Sequence, residues 1–192
     1  MPAWKSVKPL LLAVLLAGAP APAARAAGFE VLAVQPRVHA GRVVVHAAMD
    51  LDLSEAAERA LVSGIPLDIL LEFRLCRRRP LWWDQTLGRW TLRARLSYHA
   101  LSGLYLVRLG EGARLHSFAT QRAALKYLGT VDRISFPLPA DAPAGSAYRL
   151  DLRVRLDREA LPLPLRPIAY TAAAWRLDSH WTEWTFAPSS AG

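Results

Sequence analysis

Residues 148–156 read Tyr148-Arg149-Leu150-Asp151-Leu152-Arg153-Val154-Arg155-Leu156. Every second residue is apolar and the residues between them are charged. Successive side chains on a strand point to opposite faces, so this stretch predicts a strand with one greasy and one wet side. The same period recurs three times. Val43, Val45, Ala47, Met49 and Leu51 share a face against Arg42, His46, Asp50 and Asp52. Ile65, Leu67, Ile69, Leu71, Phe73 and Leu75 oppose Asp68, Glu72, Arg74 and Cys76. Trp90, Leu92, Ala94, Leu96 and Tyr98 oppose Thr91, Arg93, Arg95, Ser97 and His99. Half-buried strands belong to antiparallel sheets, because strands of a covered parallel sheet read as unbroken apolar runs.

Weaker strand patterns cover Phe29 to Gln35, Leu104 to Leu109 and Ile134 to Leu138. Two short helices interrupt the strands. The first is expected to be capped by Asp52 with Glu55 as its capping-box partner, and to stop at Gly64 before Pro66. The second runs from Thr120, its cap, to Leu128, with Gly129 ending it. Together these predict a mainly β fold, an antiparallel β-sandwich of immunoglobulin-like type with about seven strands and two short helices. A small antiparallel barrel is the alternative.

The N-terminal 26 residues have a different character. Lys5 and Lys8 precede an apolar stretch from Leu10 to Ala17, and a Pro/Ala-rich segment ends in Ala24-Arg25-Ala26. That order is the one found in secretory signal peptides, so cleavage is expected between Ala26 and Ala27, leaving residues 27–192 as one domain in the periplasm. The apolar stretch falls short of the roughly 20 residues of a spanning helix. An uncleaved segment anchored in the inner membrane is the alternative. The chain carries a formal net charge of +8, and loss of Lys5, Lys8 and Arg25 would leave +5. The basic residues are almost all Arg and the chain has no Asn, both of which a high-GC coding bias produces, so the basicity is discounted; an anionic surface such as lipid headgroups stays open as a partner, and nucleic acid is set aside on the expected compartment. Cys76 is the only cysteine, so no internal disulfide forms, and it reads as a small buried residue.

No catalytic motif is found: no nucleophile elbow, no His-Glu-x-x-His, no Cys-x-x-Cys and no phosphate-binding Gly loop. No cofactor and no metal site is expected. His46 and His99 fall on polar strand faces, where a cross-sheet metal pair would be the one arrangement to look for. The candidate interaction patch is Arg77, Arg78, Arg79, Trp82 and Trp83, after a long strand. Arg and Trp are the residues enriched at interface hot spots. Trp175, Trp181 and Trp184 form a second, C-terminal aromatic group, expected mainly to pack. Leu161 to Pro167 is expected to be an extended crossover with its Leu residues buried, the alternative being a polyproline-type ligand.

Several stretches carry a family resemblance: residues 60–67 (ALVSGIPL), 79–83 (RPLWW), 95–102 (RLSYHALS), 161–167 (LPLPLRP), 166–170 (RPIAY) and 175–184 (WRLDSHWTEW). The chain resembles a bacterial exported family classified as domain of unknown function 4390. The resemblance implies an exported protein of Gram-negative bacteria and brings no activity with it. The functional expectation is a non-enzymatic binding module whose partner is another envelope protein. A glycan- or anionic-lipid-binding module is the alternative, and a hydrolase with a spatially assembled site is the third reading.

Overall fold

The computed structural model describes residues 27–78, 84–139, 142 and 147–187. Their strands are β1 (Phe29–His39), β2 (Arg42–Leu51), β3 (Leu67–Arg77), β4 (Gln85–His99), β5 (Leu104–Leu109), β6 (Leu115–Phe118), β7 (Thr130–Pro137), β8 (Tyr148–Leu156) and β9 (Thr182–Phe186). Helices α1 (Glu55–Val62), α2 (Gln121–Leu128) and α3 (Arg166–Thr171) lie between them. All strand pairings are antiparallel. One sheet has the order β1-β2-β7 and the other β6-β5-β4-β3-β8-β9.

The two sheets face each other across one core, so the mainly β, sandwich-type expectation holds, with nine strands divided three and six among the described residues. Val43, Val45 and Val131 come from one sheet, and Ile69, Leu71, Leu150 and Val154 from the other. Phe136 of β7 reaches across the interface. Its ring centroid lies 4.9 Å from Phe73 and 4.7 Å from Trp90, the latter nearly parallel at 18°. Core-facing residues are those the period-2 patterns picked out, because burying that face is what drives the sheets together.

Four local expectations need correction. The cap of α1 is Ser54, whose Oγ accepts from Ala57 N at 3.2 Å, and not Asp52. Asp52 instead follows directly on β2, its backbone exchanging two bonds with Gly28, the residue before β1. Glu55 pairs with Arg59 one turn on. Second, the segment after Leu161 is only briefly extended: it turns helical at Arg166, with Pro167 in the first turn, where its missing N–H costs nothing. Within it Leu161 is buried but Leu163 is exposed. Third, β6 and β9 went unrecognised, being edge strands of four and five residues. Fourth, the wet side of β3 is not wet throughout: Asp68 and Leu70 on it are buried, alongside Cys76, whose burial was expected. Other expectations stand: Thr120 caps α2 through Ala123 N, and Gly64 has φ +87° after α1. Gly129 ends α2 with φ −73°, so its role is space and not handedness: a Cβ there would collide with the Met49 carbonyl oxygen.

Candidate functional site

The larger sheet turns its second face away from the core, and β3, β4 and β8 put mostly charged residues on it. Register decides which charges meet. Asp68 lies opposite Arg95, and Arg74 opposite Asp151. Asp68 accepts from Arg95 Nε at 2.7 Å, from Arg95 Nη2 at 2.8 Å and from Arg93 Nη1 at 3.1 Å. Arg93 also pairs with Asp157 at 3.1 Å. Burial pushes the Asp68 carboxyl up, but the hydrogen bonds and charges of Arg95 and Arg93 outweigh it, leaving the pKa below the usual 3.8. Asp68 in turn raises the Arg95 guanidinium.

A second cluster surrounds Asp151, which has no exposed surface. It accepts from Arg74 Nε at 2.8 Å and from Arg149 Nε at 2.9 Å. Arg149 continues to Asp84 at 2.6 Å and Glu183 at 3.6 Å. Desolvation lowers the Arg149 pKa, yet Asp151, Glu183 and Asp84 together leave it raised. Between the clusters Arg155 Nε donates to Glu72 Oε1 at 2.9 Å. The short acids are buried because long Arg stems from neighbouring strands lie over them while their head groups reach solvent.

Two arginines on this face stand outside the network. Arg89 is paired in register with Arg74, and Arg108 with Arg95. Both are exposed, and neither makes an ion pair among the described residues. Like charges opposite each other in a sheet are unfavourable. Arg93, Arg95 and Arg108 border a cleft of about 340 Å3 closed by Gly110, Glu111 and Gly112. Trp181, 38% exposed, completes the face: the Arg74 guanidinium carbon sits 4.8 Å from its ring centroid.

The expected patch is only partly within view. Arg77 ends β3 opposite Tyr148, whose phenol is pushed up by burial against the opposing effect of Arg77. Arg78 follows, exposed, its backbone N–H bonded to the Ala147 carbonyl. Arg79, Trp82 and Trp83 lie outside the described residues. Of the C-terminal aromatics, Trp175 is buried, Trp184 packs partly buried against the core, and Trp181 alone reaches the outer face. Ala27 is the first described residue; Ala26 lies outside them. His46 and His99 belong to different sheets. His46 Nδ1 pairs with Asp132 at 2.6 Å, and His99 Nδ1 with Ser102 Oγ at 2.9 Å. Cys76 is buried beside Thr86.

A cleft of about 580 Å3 at the start of β1 has Asp50, Asp52, Asp178 and His180 on its rim. Among the described residues no three His, Cys, Asp or Glu side chains group as metal ligands. No helix of these residues is long and apolar enough to cross a membrane. Reading the sequence missed Arg74, Arg89, Arg93, Arg95 and Arg108 as a group. Their alternation was visible, but the register that stacks them on one face was not.

No curated protein and no solved structure matches the chain. A family model does match, over residues 26–185, and the chain belongs to the family described as Domain of unknown function (DUF4390).

Proposed function

We propose that this protein is an exported, non-enzymatic binding module that holds another envelope protein against the outer face of its six-stranded sheet. The observation that carries this reading is the pair of Arg–Arg cross-strand contacts, Arg74 with Arg89 and Arg95 with Arg108. Asp68 and Asp151 neutralise one member of each pair and leave Arg89 and Arg108 exposed and without an ion pair among the described residues. Such a surface suits an acidic protein face, which would supply the missing counter-charges. The neighbouring Arg74, Arg93 and Arg95, held in place by ion pairs, lose little freedom on binding. Trp181 adds an aromatic ring at the β9 side of the same face. Export is supported by the N-terminal 26 residues.

The test is capture from an envelope extract with the intact chain, the Arg89→Glu/Arg108→Glu double variant and Trp181→Ala. A specific protein recovered by the intact chain and weakened about tenfold or more by the charge reversals supports the reading. Equal recovery by all three chains, or no specific protein, refutes it. A second reading rests on Trp181: a glycan or anionic lipid headgroup against its ring. Saturable quenching of tryptophan fluorescence by peptidoglycan fragments, lost in Trp181→Ala, would select it over the first.

A further inference from the structure

A cleft of about 350 Å3 opens where the chain returns to β8 after α3. Residues 176–179 run alongside the end of that strand. Leu156 N donates to the Leu177 carbonyl at 2.8 Å, Ser179 N donates to the Val154 carbonyl at 2.7 Å, and Arg155 is bridged to Asp178. Trp175 and Leu177 are buried on either side of Arg176, so its backbone is fixed while the residue itself stays exposed. Arg158 reaches the cleft from the 3-10 turn Arg158–Ala160, which follows β8 directly. Its guanidinium carbon lies 5.2 Å from the Tyr170 ring centroid, and its Nη1 donates to the Ala169 carbonyl at 3.4 Å.

The charges around the cleft do not balance. Four arginines line it, Arg153, Arg155, Arg158 and Arg176, against two carboxylates, Glu72 and Asp178. Both carboxylates are taken: Arg155 Nε donates to Glu72 Oε1 at 2.9 Å and Arg153 Nη2 to Asp178 Oδ2 at 2.9 Å. Arg158 and Arg176 have no carboxylate partner among the described residues. Of the other acids close in sequence, Asp157 is buried and turned to Arg93 at 3.1 Å, and Glu159 is exposed and outside the lining. The cleft is thus left with a surplus of two positive charges. Leu156, Trp175 and Leu177, all buried, back it with apolar surface, where charges are screened less than on open surface.

We infer that this cleft binds a phosphomonoester, with Arg158 and Arg176 neutralising its charge and Arg153 and Arg155 adding hydrogen bonds. A phosphomonoester is close to doubly charged at neutral pH, which matches the surplus, and its oxygens fit the guanidinium fork. A carboxylate or a phosphodiester brings only one charge. Arg153 and Arg155 are already held by their carboxylates, and Arg158 by the Tyr170 ring and the Ala169 carbonyl, so little ordering is left to be done on binding. The inference does not depend on the protein-binding reading of the outer sheet face: Arg89 and Arg108 belong to β4 and β5, and neither lines this cleft.

Amide NMR titration of the full chain with inorganic phosphate, at constant ionic strength and about pH 7.5, where phosphate is mostly doubly charged, reads the site directly. The expected result is saturable shifts centred on Arg176, Leu177 and Asp178 with a Kd of about 1 mM or tighter, and a much weaker response to acetate. Arg158→Gln and Arg176→Gln should each weaken binding about fivefold or more. Arg37→Gln, exposed on β1, removes the same charge elsewhere and should change nothing. Glycerol phosphate and phosphatidic acid vesicles then distinguish a soluble ester from a lipid-borne one, by which of them displaces inorganic phosphate. No saturable response to phosphate, an equal response to acetate, an equal loss in Arg37→Gln, or displacement by neither ester overturns the inference. The Arg89→Glu/Arg108→Glu chain should keep its phosphate site, so loss of a protein partner and loss of this site are read separately.

Discussion

Arg74 makes two contacts at once: it holds the buried carboxylate of Asp151 at 2.7 Å and lays its guanidinium 4.8 Å from the ring centroid of Trp181. The two residues are separated by β8, so the contact ties β3 to the chain entering β9. One arginine thereby links the ion-pair network to the aromatic ring of the outer face.

The two halves of that link should differ in strength. Asp151→Asn leaves Arg74 and Arg149, both half-buried, without their shared counter-charge, and should destabilise the fold by about 3 kcal/mol. Trp181→Ala removes only a partly exposed cation–π contact and should cost about 1 kcal/mol or less. Urea unfolding of both variants measures the difference, and equal losses would contradict the assignment of Asp151 as the anchor.

Asp68 predicts acid sensitivity. Its folded-state pKa lies below the ordinary 3.8, so the folded protein binds fewer protons there than the unfolded chain. Its contribution is fully present above pH 3.8 and is lost as the pH falls through the lower folded value. Unfolding titrations below pH 4 should show stability falling with pH, and Asp68→Asn should flatten that slope while lowering stability at pH 7.

Gly129→Ala tests a close approach. The added methyl would strike the Met49 carbonyl, and Met49 N donates to the Gly129 carbonyl at 2.7 Å, so neither backbone can withdraw freely. A loss of about 2 kcal/mol or more is expected, although Ala is the better helix former. A neutral or stabilising effect in thermal unfolding would show that the α2–β2 contact yields easily.

Phe136→Ala removes the ring that packs on both Phe73 and Trp90 across the sandwich, and should cost about 3–4 kcal/mol. Denaturant midpoints of the intact and substituted chains give the value. A cost under about 1 kcal/mol would mean that the two sheets do not rely on this contact.

The core was legible in the sequence because burial of one strand face imposes a period of two, and residues such as Ile69, Leu152 and Val154 obey it without exception. The outer face was legible only as composition. Whether Arg95 meets Asp68 or Arg108 depends on how far neighbouring strands slide, and Asp68 on its own looks like any solvated acid. Asp52 was the expected cap, but its backbone is paired with Gly28, a contact between distant parts of the chain that local sequence does not reveal, and Ser54 caps α1 instead. The exposure of Leu163 was equally hidden, since a Pro-punctuated apolar run gives no period from which a face could be read.

The central claim is that the outer face of the six-stranded sheet meets another protein. A photo-crosslinking residue placed at Thr91, exposed on that face among the arginines, tests it in intact cells against the same residue at Gln35, exposed on β1 of the other sheet. The account predicts a discrete crosslinked species from position 91, diminished by Arg89→Glu/Arg108→Glu, and none from position 35. No adduct at 91, or the same adducts at both positions, would contradict it.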